Sequence, residues 1–581
     1  MNKKNLVAKG RVYFVFAVFI LISLLLISKL YLVQIVEGEF YSQRADRQHI
    51  RPTASIFDRG SIFFTTKDGE KINAATLKSG FKVAISPSLI IHPEDVFNNL
   101  SLYLAIPEES YLNHAEKIGD PYEEIARRVP YEIGQQIKDL NINGVSVIDE
   151  NWRSYPGDEL AAQTVGFVAY GDDDDIKGRY GLERQYEDIL GRDHRNIFTN
   201  FFVEIFSEAA EALKDENSME GSIVTTIEPE VQLFVDNELK TVRETWSPKK
   251  AGAIVMDPND GAIRALSLSP NFDLNQFNLV SDPAIYKNDL IESVYEMGSI
   301  IKPLTLSVGL DVGAITPNST YEDRGYISLN NKTIWNHDKK AHGVVSMQEV
   351  LNKSLNTGAG FVEQKMGNEI FADYMKKLFD QKTGVDLPNE AKSILYPNLS
   401  SNTDIEYVTA SYGQGIAMSP ISVIRALAAL GNGGKLVTPH LVEQIEYDLG
   451  FSKDLDWPEP VSVFKPETSE NITRMLVETV DTALRGGQFS LRNYSIAAKT
   501  GTAQIPKSYE AGYYDDRFLH SFFGYFPAYD PQFIIFLYQL EPVGGQYAAD
   551  TLTEPFMNIT KFLINYYSIP ADRQNSNESI N

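Results

Sequence analysis

No cysteine occurs in the 581 residues. Disulfides, thiolate nucleophiles and cysteine-based zinc or iron–sulfur centres are therefore excluded, and His, Asp and Glu remain the only strong metal ligands. Cysteine usage leaves the compartment unidentified. Positive charge is also short: 53 Lys and Arg stand against 78 Asp and Glu, a formal charge of −25. Contact along phosphates needs a basic face, so the charge argues against broad nucleic-acid binding, while a local basic cleft stays open. Long hydrophobic runs are scarce too, and no internal repeat is detectable. One run stands out, "VYFVFAVFILISLLLIS" from Val12 to Ser28, continuing in apolar character to Val36 past Lys29, whose stem can snorkel. At about 1.5 Å per residue, 12–36 is long enough to cross a hydrocarbon layer of roughly 30 Å. Bulky residues follow it in "SKLYLVQIVEGEF" instead of a small-residue cleavage site, which favours an anchor over a removed signal. Lys3, Lys4, Lys9 and Arg11 precede it, so residues 1–11 are expected in the cytoplasm and everything beyond about residue 37 outside. With no second run of comparable length, a single-pass protein is expected.

With 43% hydrophobic residues, the chain can bury more than one core, and two or three domains are expected. Up to about residue 212, alternating runs such as "FKVAISPSLII" mix with polar stretches read as helical, such as "EEIARRVPYEIGQQIKDL". This is an α+β pattern. Charged and small residues interrupt it at "LKDENSMEGS", Leu213 to Ser222, which separates a first domain, 38–222, from a second, 223–569. The second opens with the strand-like "IVTTI" and the helix "PEVQLFVDNELKTVRETW". A hairpin follows, "GAIVM" and "AIRALSLS" about a turn at Asp257 to Gly261. Helical periodicity then marks "VSMQEVLNKSLNTGAGFVEQKM" and "SPISVIRALAALGNGG", and strands return in "SIAAKTGTAQ", "HSFFGYFPAY" and "FIIFLYQL" before a last helix through "ADTLTEPFMNITKFLINYY". The simplest topology joins the hairpin and the late strands in one antiparallel sheet. From 570 to 581 the composition is that of a disordered polar tail.

The chemistry centres on "YEMGSIIKPLTL". Pro303 lacks an amide hydrogen and clashes with the carbonyl four residues back, that of Ser299, so a helix should begin near Ser299. The hydroxyl then sits at a helix N-terminus, with Lys302 on the same face one turn later. A serine needs a base to become a nucleophile, and lysine serves only when burial or another cation lowers its pKa. "SLN", Ser354 to Asn356, adds a hydroxyl and an amide. "KTGT", Lys499 to Thr502, adds a second cation, two hydroxyls and a glycine on an expected strand. The order S-x-x-K, S-x-N, K-T-G is that of penicillin-recognising serine acyl enzymes.

On these residues the sequence resembles the penicillin-binding proteins, specifically the monofunctional class B group of the division type. The likeness extends along nearly the whole chain. "RPTASIFDRG", "RSYPGDELAAQTVGFV" and "GRYGLERQYEDILGRD" resemble elements of the family's pedestal, and "SYGQGIAMSPISVIRALAALGNGG" and "FFGYFPAYDP" resemble stretches flanking the third motif. The resemblance implies an α+β multidomain fold: a single transmembrane helix, an α+β pedestal (dimerisation) domain, and a transpeptidase domain whose central antiparallel sheet is flanked by helices. It implies a bacterial, membrane-anchored serine D,D-transpeptidase without a cofactor, cross-linking peptidoglycan stem peptides, with carboxypeptidase side activity and β-lactams as inhibitors.

By the same resemblance, Ser299 is the nucleophile, Lys302 its base beside Lys499, and Ser354 a proton relay. Asn356 binds the donor's amide; Lys499, Thr500 and Thr502 hold its terminal carboxylate. Gly501 permits close approach of substrate, and the amides of Ser299 and Thr502 form the oxyanion hole. Met297 and Ile300 depart from the family's usual Pro and Thr or Val, which makes substrate fit around Ser299 the point to examine. His337, Asp338 and His342 in "NHDKKAH" read as a polar loop and not a metal site, and "GQG", Gly413 to Gly415, as a tight turn near the active-site wall. No glycan polymerase stretch is recognisable, so a separate SEDS-type polymerase and divisome proteins are the implied partners. Length and pedestal lean toward septal over lateral (elongation-type) synthesis. A non-catalytic β-lactam sensor or scaffold is the reading from another class, and the full set of motifs weighs against it.

Overall fold

A computed structural model describes residues 57–171, 175–192, 220–507, 510 and 512–573. The expected cytoplasmic segment and anchor, residues 1–36, lie outside the described residues, as do 574–581. Among the described residues no helix is long and apolar enough to cross a membrane. The described chain divides into two compact units, one built on Ser79–Trp152 and the other on Arg59–Lys78 together with the chain from Arg153 onward.

The larger unit is organised by α1 (Pro229–Trp246), β1 (Lys250–Met256), β2 (Ile263–Ser269), α2 (Lys302–Asp311), α3 (Met347–Asn352), α4 (Asn356–Met366), β3 (Ala497–Pro506), β4 (Tyr513–Phe526), β5 (Phe533–Leu540), α5 (Ala548–Thr551) and α6 (Thr553–Tyr566). The strands form one sheet in the order β3-β4-β5-β1-β2, antiparallel throughout, so the early hairpin and the late strands do meet. Both faces are covered, which is why "FIIFLYQL" shows no polar alternation. Ile535 and Leu537 pack with Val231, Val235 and Leu239 of α1 and Phe556 and Leu563 of α6. Ile534 and Phe536 belong to the opposite core, with Met297, Ile300 and Leu304. Pro229 starts α1, and the Glu228 carboxylate caps it by accepting from the amide of Val231 (2.6 Å).

Three pedestal-like segments far apart in sequence converge on one buried ion cluster in this unit. Glu183 receives Nε of Arg59 at 2.6 Å and Nε of Arg153 at 2.6 Å, and all three side chains are essentially buried. Arg153 also donates to the carbonyl of Gly60 (2.7 Å), and Arg59 to the carbonyl of Glu183 (2.7 Å). Burial would push the Glu183 carboxyl up, but Arg153 and Arg59 outweigh it and hold the group below its usual range. This explains the "DRG", "RSYP" and "GLE" stretches as one structural device.

Two expected helices differ. In the smaller unit, "EEIARRVPYEIGQQIKDL" is not one helix: Glu123–Pro130 is a strand, and only Tyr131–Asp139 is helical. The strand pairs with the end of strand Lys71–Ile85, in register Phe81↔Val129 and Ile85↔Glu123, and this pairing overrides the helical propensity of its charged residues. Pro130, at the N-cap of the helix, marks the changeover. The second case is "VSMQEVLNKSLNTGAGFVEQKM", which breaks into α3 and α4 because Ser354 takes the left-handed conformation, φ +54°. At the other end, the polar tail is tied down over its first residues: Asp572 accepts from the amide of Ser495 (2.8 Å), and Arg573 pairs with Asp481 (2.6 Å).

Candidate active site

Ser299 lies on a 3₁₀ turn, Gly298–Ile301, and α2 begins only at Lys302, with Pro303 in its first turn. The helix thus starts three residues later than expected near Ser299. Pro303 is tolerated there because an amide at that position has no intrahelical partner. The turn and the helix still bring the pair together: Lys302 Nζ is 3.0 Å from Ser299 Oγ, 3.2 Å from Ser354 Oγ and 2.5 Å from the Ser354 carbonyl oxygen. Lys302 is fully buried. Burial, and after it the charge of Lys499, lowers its pKa well below the ordinary lysine range. Desolvation is thus the larger cause, and the second cation adds to it.

The break between α3 and α4 positions the second motif. Left-handed geometry at Ser354 turns its carbonyl and hydroxyl together onto the Lys302 amine, and Asn356 then opens α4. Asn356 Nδ2 donates to the carbonyl of Trp335 (2.9 Å). Behind it, a buried network holds the wall: Asp323 accepts from Thr357 Oγ1 (2.8 Å) and Asn336 Nδ2 (2.9 Å), while Asn336 Oδ1 accepts from the amide of Thr357 (3.2 Å). These backing residues carried no signal readable from sequence alone.

The third motif lies on β3, at the edge of the sheet. Lys499 is 5% exposed, its Nζ donates to the Thr500 carbonyl (3.0 Å), and burial lowers its pKa to about 8. Thr502 Oγ1 accepts from the amide of Ala548 (3.1 Å), which leaves its own hydroxyl hydrogen to donate elsewhere. Gly501 has a structural reason of its own. A Cβ there would come within 2.7 Å of the Met297 carbonyl oxygen, so glycine lets the nucleophile's turn pack against β3. Ser521, opposite Gly501 on β4, fastens that turn by donating to the Met297 carbonyl (3.0 Å).

A family model described as the penicillin binding protein transpeptidase domain matches residues 251–559, more than half of the chain, and one described as the penicillin-binding protein dimerisation domain matches 58–197. The chain belongs to the class B penicillin-binding proteins. Among curated relatives, it is 28% identical to stage V sporulation protein D of Bacillus subtilis, over 96% of this chain and 85% of that protein. It is 25% identical to the probable peptidoglycan D,D-transpeptidase PenA of Neisseria gonorrhoeae, over 98% and 94%. Among solved structures, penicillin-binding protein 2X of Streptococcus thermophilus shares the fold with a TM-score of 0.70 at 20% identity, over 88% of this chain and 80% of that one.

In this penicillin-binding protein the unusual Met297 and Ile300 are both fully buried in the core. They bear on how the turn is supported: Ile300 Cγ2 lies 3.1 Å from where a Cβ on Gly501 would stand. The Gly413 turn is a buttress: the Gly298 amide donates to the Gly413 carbonyl (3.1 Å), and Gly413 has φ +81°. Of the loop histidines, His342 Nε2 pairs with Asp338 (3.0 Å), whereas His337 turns toward Tyr547, ring centroids 6.1 Å apart. His337, expected only as part of a polar loop, thus contacts the segment that follows β5.

Proposed function

We propose that this class B penicillin-binding protein is a serine D,D-transpeptidase that acts through an ester on Ser299. The observation that carries the reading is a buried, desolvated Lys302 amine within 3.0 Å of Ser299 Oγ and 3.2 Å of Ser354 Oγ. A neutral amine has a lone pair for the Ser299 proton and still donates to the Ser354 carbonyl. Ser299 Oγ attacks the carbonyl of the penultimate D-alanine of a stem peptide; Ser354 relays the proton to the departing D-alanine nitrogen, and the peptide C–N bond breaks. An amine from a second stem then attacks the ester, loses its proton back through the same groups and frees Ser299. Lys499, Thr500 and Thr502 hold the donor's terminal carboxylate, Asn356 its amide, and the amides of Ser299 and Thr502 the oxyanion.

The same proposal assigns 12–36 as a membrane anchor with residues 1–11 cytoplasmic, 38–222 as pedestal, 223–569 as transpeptidase domain, and a SEDS-type polymerase and divisome proteins as partners in septal synthesis. The apolar run, the preceding basic residues and the pedestal motifs support it. Incubation of the full chain with a fluorescent penicillin, followed by mapping of the adduct, tests the site: label is expected on Ser299 and lost in Ser299→Ala, and a label elsewhere overturns it.

A further inference from the structure

His337 and Tyr547 meet ring to ring, and the segment carrying each is fastened to a different motif. On one side, Asn336 is buried, held by Asp323 and Thr357, and Trp335 receives Asn356 Nδ2. The next residue, His337, follows directly from this rigid base and is partly open to solvent. On the other side, Tyr547 immediately precedes Ala548, whose amide donates to Thr502 Oγ1. Tyr547 is 41% exposed. The two rings nonetheless meet edge to face, interplanar angle 80°. An edge-to-face contact between two partly solvated rings is weak enough to open for a peptide. Partial burial, then the charge of Lys302, lowers the His337 imidazole below its ordinary range, so the neutral ring is the form that packs against the tyrosine.

We infer that His337 and Tyr547 form an aromatic gate over the acyl-enzyme that governs whether water or an amine resolves it. The inference rests on the acyl-enzyme reading above. After the terminal D-alanine leaves, the ester on Ser299 has two fates. Water can add its oxygen to the acyl carbon, break the bond to Ser299 Oγ and return a proton to that oxygen, giving a shortened free acid. A primary amine can do the same through nitrogen, giving an amide. Both consume one nucleophile and regenerate the serine, so the balance depends on which nucleophile reaches the carbon. A small apolar closure over a desolvated base restricts water, whereas an amine carried on a large second substrate can displace the rings and supply its own cover.

The full chain in detergent is given a D-alanyl-D-alanine-ending stem peptide and an excess of a primary-amine acceptor, and both products are quantified by mass spectrometry. The hydrolysed share is a ratio internal to each protein, so differences in acylation rate cancel. His337→Ala and Tyr547→Ala are each expected to raise that share about 3–10-fold, and His337→Phe to keep the parent's ratio. An unchanged ratio in both alanine variants overturns the gate, as does a His337→Phe ratio equal to that of His337→Ala. If the parent itself carries no adduct on Ser299, the underlying reading fails and the gate with it; an adduct with an unchanged ratio sinks the gate alone.

Discussion

The amine of Lys302 and the hydroxyl of Ser299 are 3.0 Å apart, one at the first residue of a helix and the other on the turn before it, and among the described residues no carboxylate pairs with the amine. An ammonium there would be desolvated with three hydrogen-bond acceptors but no counter-charge, and burial lowers its pKa well below the ordinary lysine range, which favours the basic form. This arrangement costs stability and supplies the base.

Lys302→Met should therefore separate the two. The folded-state pKa is depressed, so below about pH 10 the unfolded chain takes up a proton that the folded chain refuses, and this destabilises the fold. Methionine removes the penalty while nearly matching the volume. The melting temperature should rise by about 2–4 °C at pH 7, and the gain should shrink as pH rises toward about 10 and be absent above it, while penicillin acylation falls about 10²–10⁴-fold. A variant that melts lower and still acylates at the parent rate would refute the assignment.

Lys499 predicts the alkaline limb. Burial lowers its pKa to about 8, so the side chain is charged below that pH and neutral above it. If it holds the substrate carboxylate, acylation by a carboxylate-bearing penicillin falls as pH rises through about 8. A β-lactam with its carboxylate esterified should lack the decline, and Lys499→Arg, which stays charged, should lose it with the carboxylate-bearing penicillin.

The Arg59–Glu183–Arg153 cluster should matter to folding and not to chemistry. Glu183→Gln leaves the buried Arg153 without a carboxylate and Arg59 with Glu187 alone (2.7 Å), and a loss of about 3–5 kcal/mol in denaturant unfolding is expected. The parent's Glu183 has a depressed folded pKa, so its contribution is present above the unfolded value near 4.3 and is lost as pH falls through the folded one. The variant's stability should consequently show a shallower dependence on acid.

Legibility followed physical locality. Strand β5, sandwiched between two cores, announces itself as a nearly unbroken apolar run, and the Ser299–Lys302 spacing is a one-turn relation readable without a fold. What stayed hidden depended on distant partners. The strand at Glu123–Pro130 exists because Phe81 to Ile85 lie beside it. The break at Ser354 is imposed where its carbonyl meets Lys302, and no local residue choice advertises a left-handed serine. Ser521 and His337 looked like ordinary polar residues until the sheet and the loop placed them against the site. Met297 and Ile300 show the reverse: their divergence from the family drew attention to substrate fit, whereas burial assigns them to the core.

Gly413 tests whether the nucleophile's turn must be held from behind. A Cβ at this position would lie 2.3 Å from the Gly298 carbonyl oxygen and 2.8 Å from its amide nitrogen, and both are backbone atoms that can give way only by moving Ser299. Positive φ adds strain of about 1 kcal/mol for alanine. Gly433 provides the control, since it has φ +79° and nothing within 4 Å of the added carbon. Gly433→Ala should lose about 1 kcal/mol of stability and acylate as the parent does. Gly413→Ala should lose more stability and slow acylation about 10²-fold, the cost expected when a reacting atom shifts by roughly 1 Å. Equal acylation by the two variants would mean that the 3₁₀ turn keeps Ser299 in place without Gly413.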